Sequence, residues 1–320
     1  MTLQNNSANY DKKIDITDIT GGILFSEENI GARNLKAKAL GGTLLINNSS
    51  NLLWAEKSSM KVKGDLEVNQ LLTALAPQST DKSLKDIYSQ VNGSINYDGD
   101  LLISAGGYKT NLSLQLKQLS SLLPAPFNKK AGTSLNGEFN LNNFNKNTNT
   151  KHIGVLKIGK LIDAPFAIDA KNNLRANLGI NASGKVPDEG ISANINLDKL
   201  DLDEWDKWIG KLLPSSSKDK KNTPANPTFK EFKADIKKVK VSNKEFRNIN
   251  LSANFINNVW VAKVESPITS GQLTWQPAQN DLPYGKLTAR LKQLTLEKNL
   301  EKEIGPKASN ARGQRIPAVD

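Results

Sequence analysis

The feature that most constrains this chain is a two-residue alternation of apolar and polar side chains, repeated in short runs. From Ile191 to Leu197, every second residue is Ile, Ala or Leu, and the residues between them are Ser or Asn. Runs over 112–116, 135–141 and 249–255 show the same alternation. Successive side chains of a strand point to opposite faces, so each run predicts a strand with one apolar and one polar face.

Glycines and turn pairs divide these runs. Gly93, Gly137 and Gly271 are each followed by large apolar residues two and four places on, which predicts a repeated strand start. Asp98-Gly99 and Asn257-Asn258 lie between alternating runs and predict tight hairpin turns.

Helical spacing replaces the alternation at a few places. In the stretch from Gly190 to Pro214, Leu202, Trp205, Ile209 and Leu212 recur at helical spacing after the strand. Further short amphipathic helices are predicted near 70–76 and 117–123. The prediction is a mainly β fold, a long, curved and twisted antiparallel sheet with a continuous apolar surface and too few helices to cover it.

Residue content argues against most catalytic chemistry. The chain has no cysteine and one histidine, which removes thiol catalysis, disulfides and histidine clusters. His152 is interpreted as a surface histidine, since no nucleophile motif accompanies it. The acidic residues from Asp198 to Asp206 resemble a helix cap more than a calcium loop. We therefore predict no enzyme activity, no catalytic residue, no metal and no cofactor.

The formal net charge is +11, and part of it is concentrated in one stretch. Between Lys211 and Arg247 there are eleven Lys or Arg and four Asp or Glu residues. Such a stretch favours anionic partners, but Phe232 falls on the alternating apolar face and is expected to pack inward, so nucleic acid is not expected. No apolar run approaches the ~20 residues of a membrane span, and the first residues lack a signal-peptide core.

Four longer motifs resemble the YhdP branch of the AsmA-like family of Gram-negative bacteria. They are GGILFSEENIGARNLKAKALGGTLLI at 21–46, SLQLKQLSSLLPAPFNKKAG at 113–132, GISANINLDKLDLDEWDKWI at 190–209 and GQLTWQPAQNDLPYGKLTARLKQLTL at 271–296. The most specific positions are structural ones in the second and third motifs: Leu123, Pro124, Pro126, Asp201, Asp203 and Trp205.

The resemblance implies a bridge-like lipid transfer protein. Family members are anchored in the inner membrane by an N-terminal helix and span the periplasm as a taco-shaped β-groove. Phospholipid acyl chains are expected to slide along it between the inner and outer membranes, with headgroups in water. Family members are several times longer, so this chain is expected to be a piece that lacks the anchor. It is also expected to be monomeric. The segments expected are groove at 1–213, linker or loop at 214–228, groove again at 229–305, and a truncated strand at 306–320.

Two readings of the apolar positions remain open. In the first, they line a lipid-conducting groove; in the second, they form the sealed core of a β-solenoid or sandwich used as a scaffold or adhesion module. The predicted groove-lining residues are Leu112, Leu114, Leu135, Phe139, Ile191, Ile195, Leu251, Phe255, Leu273 and Trp275.

Overall fold

The structure is a computed structural model. It describes residues 1–10, 12–25, 30–48, 58–75, 87–104, 106–144, 149–212, 229–276, 286–294 and 318–319.

Strands dominate the described chain. The strands are β1 (Thr2–Tyr10), β2 (Ile14–Phe25), β3 (Ile30–Ala39), β4 (Gly42–Asn48), β5 (Ser58–Glu67), β6 (Val91–Asn92), β7 (Ser94–Ser104), β8 (Gly107–Gln115), β9 (Ser120–Ser121), β10 (Asn136–Asn142), β11 (Thr150–Ile158), β12 (Ile162–Asp169), β13 (Leu174–Ile180), β14 (Ile191–Leu197), β15 (Leu200–Asp201), β16 (Phe229–Val241), β17 (Lys244–Ile256), β18 (Val259–Glu265), β19 (Thr269–Gln276), β20 (Lys286–Leu294) and β21 (Ala318–Val319). Helix α1 spans Val68–Leu75 and helix α2 spans Leu202–Leu212.

Within the described residues, 19 of these strands form one curved, open sheet, and β6 and β9 form a separate pair. Neighbours in the large sheet follow the chain order, with β14 and β15 lying one after the other beside β16. This confirms the predicted β fold. Because β14 and β16 are neighbours, one sheet continues on both sides of the predicted linker at 214–228, which lies outside the described residues.

The sheet is mixed, whereas the sequence predicted an antiparallel one. The parallel pairs are β13–β14, β14–β16, β15–β16 and β20–β21. Parallel neighbours cannot be joined by a tight hairpin. Residues 181–190 instead return the chain from β13 to the start of β14, and Ser183 accepts a hydrogen bond from Asn194 Nδ2 at 3.2 Å.

One predicted hairpin is confirmed and the other is wrong. Asn257 and Asn258 connect β17 to β18 with φ of 50° and 63°, as a tight turn of this kind requires. Asp98 and Gly99 instead lie inside β7, where Gly99 pairs with Val62 on one side and Leu112 on the other. A Cβ at Gly99 would collide with the carbonyl oxygen of Asn111, so this glycine permits close strand approach.

The helices predicted near 70–76 and 202–213 are confirmed as α1 and α2, but 117–123 is not helical. The carbonyl oxygens of Lys117 and Leu119 accept hydrogen bonds from Lys129 Nζ at 3.3 and 2.8 Å. The Lys117 carbonyl also accepts the N–H of Gly132 at 2.8 Å. A folded-back loop therefore uses the carbonyl groups that a helix would need.

Candidate functional site: an apolar face bounded on one side

Strand register places the apolar residues of many strands side by side on one face of the sheet. Residues directly opposite each other on neighbouring strands point to the same face. Following these partners from β3 to β20 gives one row of fifteen residues, defined here as the first row. Its members are Ala37, Leu44, Gly64, Tyr97, Leu114, Gly137, Ile158, Ile162, Ile180, Ile195, Ala234, Leu251, Val264, Gly271 and Leu291.

A second row runs beside the first, two residues further along each strand. Its members are Leu35, Ile46, Val62, Gly99, Leu112, Phe139, Leu156, Ala164, Leu178, Ala193, Phe232, Ala253, Ala262, Leu273 and Ala289. Neither row contains a charged side chain. We call the side of the sheet that carries both rows the apolar face.

The opposite face is polar along the same line. The partners between the two rows are Lys63, Asp98, Ser113, Glu138, Lys157, Asp163, Gly179, Asn194, Lys233, Ser252, Lys263, Gln272 and Arg290. The contrast between the two faces is therefore maintained from β5 to β20.

Much of the apolar face is only half-buried. Leu112, Leu114 and Phe139 at its centre are half-buried, and Trp275 is 42% exposed. Buried positions in the two rows include small side chains such as Ala37, Ala193 and Ala234. The large side chains at the centre of the face therefore keep part of their surface exposed.

The dimensions of this face follow from β geometry. Strands lie about 4.8 Å apart, so a row crossing fifteen strands is roughly 70 Å long. Along β8, the four apolar-face positions from Thr110 to Leu116 span about 20 Å, because residues on one face repeat every ~6.7 Å.

Aromatic rings fill the gaps that glycines leave in the face. A Cβ at Gly154 would collide with the ring of Phe166, its partner on β12. The Phe166 ring also stacks on Phe139 with centroids 6.3 Å apart. Gly64 makes room in the same way for Tyr97, whose hydroxyl donates to the carbonyl oxygen of Thr43 at 3.1 Å. At these two glycines, an aromatic ring from the neighbouring strand therefore keeps the apolar surface continuous.

One side of the apolar face is closed by α1, residues 117–135 and α2, together defined as the helical rim. At α1, Val68 is buried with Ile95 and Leu116, and Leu72 and Leu135 pack against them. Near α2, Phe127 packs on a second cluster that includes Leu197 and Ile236. Both buried clusters lie at this rim, which is where the fold is sealed.

The helical rim brings together two of the motifs noted in the sequence. The Trp205 indole N–H donates to the Ala125 carbonyl at 3.1 Å, between Pro124 and Pro126. The Trp205 ring meets Phe127 edge-on with centroids 6.0 Å apart. Residues 80 positions apart in the sequence are therefore in direct contact.

Asp201 and Asp203 fix the start of α2. Asp201 Oδ1 accepts the N–H of Glu204 at 3.2 Å, which is the predicted helix cap, and Oδ2 binds Lys240 at 3.2 Å. Asp203 accepts the N–H groups of Ser242 and Asn243, in the turn between β16 and β17, at 2.6 and 3.0 Å. Hydrogen bonds from Asn243 and Ser242, with the charge of Lys240, lower the pKa of Asp203 despite its desolvation.

The ten predicted groove-lining residues are brought to one side of the sheet. Nine lie on the apolar face within strands, and Leu135, the last residue of the helical rim, lies just before β10 and packs against Val68, Ile95 and Leu116. Their contact with lipid stays a prediction. The prediction omitted Tyr97, Ile158, Ile162, Ile180 and Phe166, although the Gly93-x-Ile95-x-Tyr97 pattern already indicated Tyr97.

Polar chemistry on the apolar face is limited. The described residues contain no group of three or more His, Asp or Glu placed to hold a metal ion. His152 Nδ1 lies 3.3 Å from the Tyr108 hydroxyl. Burial and the charge of Lys151 lower the pKa of His152, which favours the neutral imidazole.

Comparison with known protein families gives a match that spans the chain. A family model described as YhdP protein matches residues 1–320. The chain belongs to the YhdP family. No curated protein and no solved structure matches this YhdP-family chain significantly.

Among the helices that the structure describes, none combines the length and apolar character needed to cross a bilayer.

Proposed function

We propose that this chain forms part of a conduit in which phospholipid acyl chains move along the apolar face. The observation that carries this proposal is the pair of uninterrupted rows, fifteen strands long and without a charged side chain. YhdP family membership supports a role in lipid transport in the cell envelope. The conduit runs through the periplasm between the inner and outer membranes, and it requires no catalytic residue.

The free energy of burying an acyl chain on the apolar face is consistent with a conduit. Each buried CH₂ group contributes ~0.8 kcal/mol. A chain of ~16 carbons therefore gains on the order of 10 kcal/mol in an apolar trough. Movement along the trough needs that gain to stay nearly constant, since a polar gap would stop the lipid. An unspecific Leu, Ile, Val and Ala surface meets this requirement.

The width of the face also suits an acyl chain. The hydrocarbon core of a bilayer is about 30 Å thick, so one extended chain is about 15 Å long. The ~20 Å between the helical rim and the other ends of the strands accommodates that length.

A charge in the centre of the apolar face tests the proposal. Phe139→Asp places a carboxylate in both the trough and the path of the chains. Asn140→Asp places the same charge one residue away on the polar face, and Ile195→Asp with Asn196→Asp forms a second matched pair. Each purified protein is analysed by native mass spectrometry, lipid extraction and circular dichroism.

We expect several bound phospholipids of mixed headgroup on the unmodified chain and on Asn140→Asp. Phe139→Asp is expected to keep its β signal and lose most of that lipid. An unmodified protein without lipid, or full lipid on Phe139→Asp, would contradict a conduit. Unfolding of Phe139→Asp beside a folded Asn140→Asp would favour a sealed core, as in a scaffold module.

A further inference from the structure

The two sides of the apolar face differ in how they are closed. At the helical rim, Leu116 is 2% exposed and Leu197 is 5% exposed, since α1 and residues 117–135 complete the packing there. At the other ends of the same strands, no described element covers the face, and Trp275 is 42% exposed. We call this second side the open margin.

Side chains at the open margin have an apolar body and a polar tip. Trp260 pairs with Trp275 across β18 and β19, and Phe255 contacts Trp260 with centroids 5.4 Å apart. Neither indole N–H has a hydrogen-bond partner among the described residues. Tryptophan is enriched at membrane–water interfaces, because its ring is apolar and its indole N–H can be solvated.

Tyr108 and His152 extend this margin towards β8 and β11. Tyr108 lies at the start of β8, at the end away from Leu116. His152 Nδ1 and the Tyr108 hydroxyl are hydrogen-bonded at 3.3 Å, and either group can be the donor. In both arrangements one donor, the N–H at His152 Nε2 or the O–H of Tyr108, has no acceptor in the part of the chain that the structure describes. A donor at the border of an apolar surface suits the oxygens of a phosphate or an ester.

We propose that each phospholipid lies in one orientation, with its chain ends beneath the helical rim and its phosphate and glycerol at the open margin. This rests on the proposed conduit and specifies how the lipid is held there. Tyr108, His152, Trp260 and Trp275 contact the polar part, whereas Leu116 and Leu197 mark the sealed end. Lipids then advance from strand to strand without turning over, because exchanging the two ends would bury a phosphate among apolar side chains.

Tryptophan fluorescence distinguishes the two sides, because the chain has five tryptophans. In one variant, Trp54, Trp205 and Trp208 are replaced by Phe, which leaves Trp260 and Trp275 at the open margin. In the reciprocal variant, Trp54, Trp260 and Trp275 are replaced, which leaves Trp205 and Trp208 at the helical rim. Each is loaded with phosphatidylcholine that carries a nitroxide on the headgroup or near the acyl chain terminus.

The headgroup nitroxide is expected to quench Trp260 and Trp275 several-fold more than Trp205 and Trp208, and the chain-terminal nitroxide to do the opposite. Equal quenching of both pairs by both lipids, or the reversed pattern, would overturn a fixed orientation while leaving the conduit intact. Absence of quenching by either lipid, with no lipid retained, would overturn the conduit as well.

A second measurement needs no substitution, because His152 is the only histidine. Its imidazole Hε1 signal is followed by NMR in the unmodified chain loaded with each labelled lipid. We expect the headgroup nitroxide to broaden this signal strongly and the chain-terminal nitroxide to leave it sharp. Broadening by the chain-terminal label alone would contradict the proposed orientation.

Discussion

At the scale of single residues, the apolar face depends on glycines that sit beside aromatic rings. Gly154 lies under Phe166, and Gly64 lies under Tyr97. A glycine would leave a gap in an otherwise continuous row, and the ring from the neighbouring strand fills it. The smoothness of the face is therefore set by pairs of residues and not by hydrophobicity alone.

We expect Gly154→Ala to destabilise the fold by about 1–3 kcal/mol, because its Cβ would meet the Phe166 ring and the Asn140 carbonyl oxygen. Gly22→Ala is the control, since its Cβ would have Arg33 Cβ as nearest neighbour at 3.5 Å, an ordinary contact. Urea unfolding measures both. A Gly154→Ala protein as stable as Gly22→Ala would show that the ring is free to move aside.

At the scale of elements, α2 is joined to two distant parts of the chain by specific polar contacts. Trp205 binds the 117–135 loop through the Ala125 carbonyl, and Asp203 binds the turn between β16 and β17 through Ser242 and Asn243. Helix α2 therefore acts as a connection between the loop that closes the rim and the strands beside it.

The Trp205 hydrogen bond gives one prediction at this scale. Trp205→Phe keeps a ring against Phe127 but leaves the Ala125 carbonyl without its donor, at a cost of about 0.5–1.5 kcal/mol. Trp208→Phe is the matched change, because its buried indole N–H has no acceptor in the described structure. Thermal unfolding should show a larger loss of stability for Trp205→Phe than for Trp208→Phe. Equal losses would mean that the hydrogen bond to Ala125 does not contribute to stability.

Asp203 gives a prediction about pH. A carboxyl with a lowered pKa in the folded state stabilises the protein above its unfolded pKa, near 3.9, and that contribution is lost as pH falls through the folded value. The unmodified chain should therefore exceed Asp203→Asn in stability near pH 6, with the difference shrinking below about pH 4. Asp206→Asn, at an exposed position of α2, is the control in urea unfolding at several pH values. A difference that stays constant with pH would mean that the carboxylate charge is unimportant.

At the scale of the whole molecule, the described sheet is long in the direction across its strands, and both buried clusters of the described residues lie along one side of it. Fifteen strands of the described sheet, from β3 to β20, carry the apolar face in chain order, so each of them lengthens it. A compact protein of this length has a radius of gyration of about 20 Å. Small-angle X-ray scattering should give a clearly larger value, and a value near 20 Å would mean that the sheet closes on itself and covers the face.

The alternation of apolar and polar residues was enough to predict the β fold and the face on which Leu112, Phe139 and Leu273 lie. Local signals also predicted the Asn257-Asn258 turn and helices α1 and α2. These features depend on interactions within a few residues, which an amino-acid sequence displays directly.

Tertiary structure alone decided how the strands pair. Alternation determines the face of a side chain but not its neighbouring strand, so the parallel position of β14 between β13 and β16 had no local signal. Asp98-Gly99 satisfies the turn rule, yet partners on β5 and β8 keep it within a strand. The contact between Trp205 and Ala125, and the difference between a sealed rim and an open margin, arise from residues far apart in the chain. Their energies depend on long-range packing, which the fold alone brings about.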